Sequence, residues 1–154
     1  KELHDELAKL GSELLIKILP DYLTGKVELQ SQNHSQATFT KKFTREDARI
    51  NWNKTAEEID RQIRALNPEP GTWTTWNGKV LKILEAKIRA LAAIGHDCGE
   101  LQLAGQIFLE NEEIAVRTAS DNIVLKTVQL GGKKAVSVED FIRGNRDFIG
   151  AVLG

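Results

Sequence analysis

The chain has 154 residues, 41% of them apolar and 28% charged, with a formal net charge of −1; this is the composition of an ordinary globular protein of one or two small domains and excludes a disordered chain. There is no run of about 18 apolar residues and no basic-then-apolar start, so neither a membrane span nor a secretory signal is expected. The single Cys98 rules out an internal disulfide framework and suits a reducing compartment. Four basic residues face six acidic ones through Ala37, and 17 face 16 beyond it; bulk charge points to no partner, and any nucleic-acid surface has to be a local patch.

The chain holds no Met and Lys1 opens inside a helical pattern, which predicts a piece of a longer protein. Leu3, Leu7, Leu10 and Leu14 form one apolar stripe. Gly11 and Ser12 are expected to end a first helix and cap a second, with Glu13 in its first turn. Leu15, Ile18, Leu19 and Tyr22 continue the apolar face, Pro20 should kink or shorten it, and Gly25 stops it. The region 1–25 therefore reads as a helix pair made to cover a core found elsewhere. Residues 26–43, opening KVELQSQNHSQATFTKK, read as an extended polar linker.

From residue 44 to 154 the pattern is that of a packed domain. Thr44 with Asp47 and Thr55 with Glu58 have capping-box spacing. After Thr55, the apolar Ala56, Ile59, Ile63 and Leu66 share one helical face, while Glu57, Asp60, Arg61 and Arg64 point elsewhere. Asn67-Pro68 disfavours further helix, and Pro70-Gly71 sets a turn before Trp73. Asn77-Gly78 predicts a hairpin joining 72–76 to 79–88, in which Val80, Leu84, Ala86 and Ile88 are the apolar side. Further strands are expected over 105–109, 113–118 and 122–130, and Ser137 to Phe141 should open a last helix. Five or six short strands with small helices predict a mainly β (α+β) fold, a small open Greek-key, OB-like barrel, with a flat open sheet as the alternative.

No Ser-His-Asp or Cys-His arrangement is present at usable positions, and adjacent carboxylates such as Glu57-Glu58 point apart, so no catalytic residue is assigned. His96, Asp97 and Cys98 lack the paired spacing of a zinc site and read as a surface loop; no metal is expected. Gly131-Gly132 is no dinucleotide loop. Basic residues remain as the candidate site. Lys41, Lys42, Arg45 and Arg49 lie where linker meets barrel, and Lys133 and Lys134 sit on the exposed Gly-Gly turn. Arg61 and Arg64 lie three apart on a helix, and Arg143 and Arg146 flank the end of another. Such groups can neutralise phosphates without reading base sequence; the plainer reading is that they solvate the surface. Arg49 has a second reading as an anchor, through a buried ion pair or by stacking on Trp52. Trp52, Trp73 and Trp76 read as barrel core rather than base-stacking platforms.

The segments ARINW, IRALNPEPGTW, NGKVLKILEA and GGKKAVSVEDFIRG occur in an order and spacing that resemble the C-terminal domain of the methionyl-tRNA formyltransferase family, and the helices and polar linker resemble the end of its catalytic domain. The likeness covers nearly the whole chain; Arg49, Trp52, Asn67, Pro68, Pro70 and Trp73 are its structural motif. The resemblance implies a parent enzyme that moves a formyl group from 10-formyltetrahydrofolate to the amino group of methionyl-initiator tRNA. It implies that the catalytic asparagine, histidine and aspartate and the folate loop lie before Lys1, so that this chain holds no cofactor and is inactive alone. The implied partners are the initiator tRNA and the parent's own Rossmann-like N-terminal domain, in a monomeric enzyme of the bacterial cytoplasm or the mitochondrial matrix. The alternative is a structural or interaction barrel of a sugar-nucleotide formyltransferase or a formyltetrahydrofolate hydrolase-type protein.

Overall fold

A computed structural model describes residues 2–89 and 103–154; the His96-Asp97-Cys98 loop lies outside them. The described chain forms two units, Lys1–Lys42 and Phe43–Gly154. The first is the helix α1, Glu2–Leu23, followed by extended chain with a single 3-10 turn at His34–Gln36 capped by the Asn33 side chain. The expected helix pair is one helix. Gly11 stays helical at a cost of about 1 kcal/mol relative to Ala, and the Ser12 hydroxyl donates back to the Lys9 carbonyl at 2.7 Å instead of capping a new helix. Pro20 lies within the last turn, where one missing donor interrupts little. No side chain of α1 is buried; Leu3 is 73% and Leu7, Leu10 and Leu14 are 57–58% exposed. Among the described residues no helix is long and apolar enough to cross a membrane.

In the second unit, α2 spans Ala56–Leu66 and α3 Val138–Gly144; the strands are β1 Trp73–Trp76, β2 Lys79–Arg89, β3 Ile107–Glu110, β4 Glu113–Arg117, β5 Asn122–Leu130 and β6 Val136–Ser137. All strand pairs are antiparallel, in the order β1-β2-β5-β4-β3, with β6 also paired to β5. The three consecutive strands β3, β4 and β5 lie beside β2, reached by the long connection, which is a Greek key. The fold is the mainly β half-barrel expected. The C-terminal residues link its two edges: Ile107 N–H donates to the Ala151 carbonyl at 2.8 Å and Leu153 N–H to that of Gly105 at 2.9 Å, while Thr75 and Gly154 exchange backbone bonds on the β1 side.

The expected capping box of α2 is complete. Thr55 Oγ1 accepts from Glu58 N–H, and Glu58 Oε2 accepts from Thr55 N–H and its hydroxyl. These bonds from Thr55 hold the Glu58 carboxyl below its usual range. Ala56, Ile59, Ile63 and Leu66 are buried as the periodicity requires, against β2 and β5. In β2 the buried residues are Leu81 and Ile83, with Val80 and Leu84 only partly covered and Ile88 exposed. The register shifts between Ile83 and Ala86, a bulge that turns the strand and exchanges the face its side chains use. The core combines these residues with Ile107, Ile114, Val116, Ile123, Leu125 and Val128 from the sheet and Phe141 and Phe148 from the α3 side.

Candidate nucleic-acid interface

The predicted basic residues fall into three groups. The first is on α2, where charge is already spent: Arg61 pairs with Glu57 at 3.6 Å and Arg64 with Asp60 at 2.8 Å, each one turn apart. Both guanidinium groups are exposed, and the pairs are of the weak helix-surface kind.

The second group surrounds α3. The turn after β5 closes with Lys133 N–H donating to the Leu130 carbonyl at 2.9 Å, and Gln129 Nε2 donates to the Lys133 carbonyl at 2.8 Å. Gly132 takes φ +76°, a left-handed conformation that a side chain would strain. Lys133 and Lys134 are exposed and line a groove of ≈ 410 Å³ with Leu130, Val136, Asp140, Phe141, Gly144 and Asn145. Ser137 caps α3 by accepting from Asp140 N–H at 3.1 Å. Arg143 and Arg146 line a neighbouring groove of ≈ 400 Å³ with Ile142 and Ile149. Arg143 holds Asp140 at 2.7 Å; Lys133, Lys134 and Arg146 have no carboxylate partner among the described residues. Asp140 links the two grooves, since it lines the one with Lys133 and Lys134 and pairs with Arg143, which shares the other with Arg146.

The third group gathers at Trp73. The segment 45–49 forms a 3-10 turn, Glu46–Ala48, steadied by the Thr44–Asp47 box and by Gln62 Nε2, which donates to the Asp47 and Arg49 carbonyls at 3.0 and 3.1 Å. Trp73 Nε1 donates to the Arg45 carbonyl at 2.8 Å. The Arg45 and Arg49 guanidinium carbons lie 5.2 and 5.5 Å from the centre of the Trp73 ring. Arg49 is therefore exposed and stacked on Trp73, not buried and not on Trp52, because its neighbour Ile50 pairs with β1 and presents residue 49 beside residue 73. Trp52 is buried instead, donating from Nε1 to Thr74 Oγ1 at 3.1 Å. Trp76 packs edge-on to Phe141 and Phe148. All three tryptophans are 8% exposed or less, which is the core role expected of them. Lys42 is exposed on the first unit, as is Lys41, which has an interaction of its own.

The NPEP turn is a clamp. Both Asn67-Pro68 and Glu69-Pro70 are cis, and Gly71 takes φ +81° with space beside it limited by the Pro68 carbonyl. Asn67 Nδ2 donates to the Ile83 and Leu84 carbonyls at 3.0 and 3.1 Å, and its Oδ1 accepts from Thr72 N–H. One side chain joins the end of α2 to β2 and to Thr72, the residue before β1.

Sequence reasoning missed one charged cluster. Glu113 on β4 accepts from Lys126 on β5 at 2.7 Å, pairs with Lys87 on β2 at 2.8 Å and with Arg89 at 3.0 Å; Arg89 also reaches Glu110 at 3.7 Å. Hydrogen bonds from Lys126 and Lys87 pull the Glu113 carboxyl down to about 2, and the same bond raises the Lys126 ammonium. No spacing in the sequence announces this group, since it forms across three strands whose adjacency depends on the register.

The profile described as "Formyl transferase, C-terminal domain" matches residues 42–146. A methionyl-tRNA formyltransferase of Bacillus pumilus is 38% identical over 153 residues, covering 99% of this chain and 46% of that protein. One of Dehalococcoides mccartyi is 39% identical over 152 residues, with the same coverage. The chain thus spans a little under half the length of the curated relatives it matches. Among solved structures, HypX from Aquifex aeolicus is similar in fold, with a TM-score of 0.63 at 13% identity over 89% of this chain and 24% of that one. A profile match that begins at the start of the barrel unit and runs through α3, with relatives similar over almost every residue, identifies this chain as a member of the formyl transferase family through its C-terminal domain.

Proposed function

We propose that the Phe43–Gly154 unit binds the sugar-phosphate backbone of methionyl-initiator tRNA, as the C-terminal module of an enzyme that formylates that tRNA from 10-formyltetrahydrofolate. The observation that carries this reading is the pair of exposed lysines, Lys133 and Lys134, on a glycine turn beside a groove, with no carboxylate partner among the described residues. Two adjacent ammonium groups in water repel slightly and become favourable when an anion lies against them. Together with Arg143 and Arg146, whose groove Asp140 links to theirs, they make a surface that neutralises phosphates without reading bases. The folate donor, the catalytic residues and the chemistry belong to a Rossmann-like domain of the longer, cytoplasmic protein, monomeric in this reading. The exposed apolar stripe of α1 supports it, since Leu3, Leu7, Leu10 and Leu14 are made to cover a core of such a domain.

Asp140 favours a second reading, because a carboxylate in the lysine groove weakens its potential. In that reading the barrel is structural, in a formyltransferase acting on another substrate, and has no tRNA affinity. The deciding measurement is the affinity of the full-length protein for initiator tRNA at three salt concentrations, for the parent and for K133A/K134A. The tRNA reading expects weaker binding and a slope of log K against log salt that is shallower by about 0.7 to 0.9 for each phosphate no longer neutralised. Superimposable lines remove this turn from the binding surface.

A further inference from the structure

We infer that Arg45 and Arg49, stacked on Trp73, form a preorganised site for backbone phosphates of the bound nucleic acid, distinct from the lysine turn at α3. The inference rests on the tRNA reading for the identity of its ligand, but its geometry stands independently. A guanidinium that lies over an aromatic ring uses its face for the cation–π contact, while its N–H donors point outward in the plane of the group, the arrangement that meets two oxygens of one phosphate. Both guanidinium carbons lie over the Trp73 ring, at 5.2 and 5.5 Å from its centre.

Four of the other six arginines spend their donors on carboxylates, while Arg117 lies over the Phe108 ring at 4.6 Å and Arg146 has no carboxylate partner among the described residues. Arg61, Arg64, Arg89 and Arg143 each hold a carboxylate within 4 Å. Arg45 and Arg49 are exposed and hold none among the described residues, even though Glu46 lines the same ≈ 420 Å³ groove as Arg49. Arg45 and Arg49 lie over one indole and are exposed, so their donors are open to an anion from outside.

The platform is rigid. Trp73 is tied by its indole N–H to the Arg45 carbonyl, by its carbonyl to Ile50 N–H at 2.8 Å, and by packing against Ala48, Leu66 and Val80. Both arginine backbones are fixed through the 3-10 turn, and Gln62 holds the Arg49 carbonyl. Little backbone freedom is left to lose on binding, which favours affinity. Lys82, the cross-strand partner of Trp73, shares its face of the hairpin and has no carboxylate partner among the described residues.

Two measurements test the site. Salt-dependent affinity for initiator tRNA is compared between the full-length parent, R45Q/R49Q and R45K/R49K. Glutamine keeps the stem over Trp73, so the thermal transition should stay in place while the slope becomes shallower by about 0.7 to 0.9 per arginine. Lysine keeps the charge and loses the fork; the slope should hold and the affinity fall. A glutamine variant with the parent's slope, or a lysine variant with its full affinity, overturns the inference, and if K133A/K134A still weakens binding the tRNA reading survives that loss. The second measurement needs no tRNA: inorganic tripolyphosphate is added to the 154-residue chain and the side-chain Nε–H resonances of its arginines are followed. Arg45 and Arg49 should shift before Arg61 and Arg64. If they shift although the full-length protein has no tRNA affinity, the site stands and the tRNA reading falls; if they do not shift, the site falls.

Discussion

Glu113 is met by three cations from two neighbouring strands, and the balance there is sensitive to its charge. Its carboxyl titrates at about 2 in the fold against an ordinary value of 4.5. Because the folded value is the lower, the interaction contributes its full stability above about pH 4.5 and loses it as the pH falls towards 2. E113Q should therefore lower the melting temperature at neutral pH, by leaving Lys87, Arg89 and Lys126 facing one another, and the difference from the parent should shrink progressively through that acidic window. A difference independent of pH would assign the effect to packing. Gly105 is a steric case. Its φ is +86°, and an added Cβ would sit 2.5 Å from the Leu153 carbonyl oxygen and 3.2 Å from the Trp52 ring. Neither neighbour can yield, one being backbone and the other a buried indole, so G105A should cost at least about 2 kcal/mol, read as a lower urea midpoint with an unchanged m-value. The glycine's role is invisible in the sequence, because the atoms it must avoid lie far along the chain in both directions.

At the scale of elements, the C-terminal segment decides whether the half-barrel has free edges. It bonds to Gly105 and Ile107 on the β3 side and to Thr75 on the β1 side, and its Leu153 is 2% exposed within the core. L153A removes a buried anchor from the segment that spans both edges, and should destabilise by about 2 to 5 kcal/mol in denaturant unfolding, with most of the change in the unfolding rate if the segment docks late. A loss below about 0.5 kcal/mol would mean that the backbone bonds hold the segment without its side chain. Helices and strands differ in how far local signals reach. The start and face of α2 were legible because its signals are local, a capping box followed by apolar residues at helical spacing. The break assigned to Gly11 was not real, because a glycine lowers helix stability without forbidding it. The inward face of β2 was misassigned because a bulge reverses the alternation partway along the strand.

For the whole molecule, the described residues divide into a barrel unit with its own core and a helix that buries nothing. On the proposed function the 154-residue chain has no formyl transfer activity of its own. The expected result is that the purified chain leaves methionyl-initiator tRNA unformylated in the presence of 10-formyltetrahydrofolate, and that the full-length protein formylates it. Turnover by the chain alone would overturn the assignment of the chemistry to another domain. Binding should be divided in the same experiment, the chain retaining salt-sensitive tRNA affinity from its basic surface while lacking catalysis.

The sequence by itself determined the family, the order of α2, β1 to β5 and α3 along the chain, the caps of α2 and α3, and the burial of the three tryptophans. These depend on short-range rules: hydrogen bonds between residues three apart, the backbone limits of proline and glycine, and the period of apolar side chains. It singled out the basic residues but not their state. Which arginines are spent on carboxylates and which rest on an indole, why Arg49 meets Trp73 instead of Trp52, how Glu113 collects three cations, and how residues 150–154 join β1 to β3 were decided only by tertiary structure. Coulombic and stacking contacts act over a few ångströms in space, and strand register brings together residues whose separation along the chain carries no trace of that proximity.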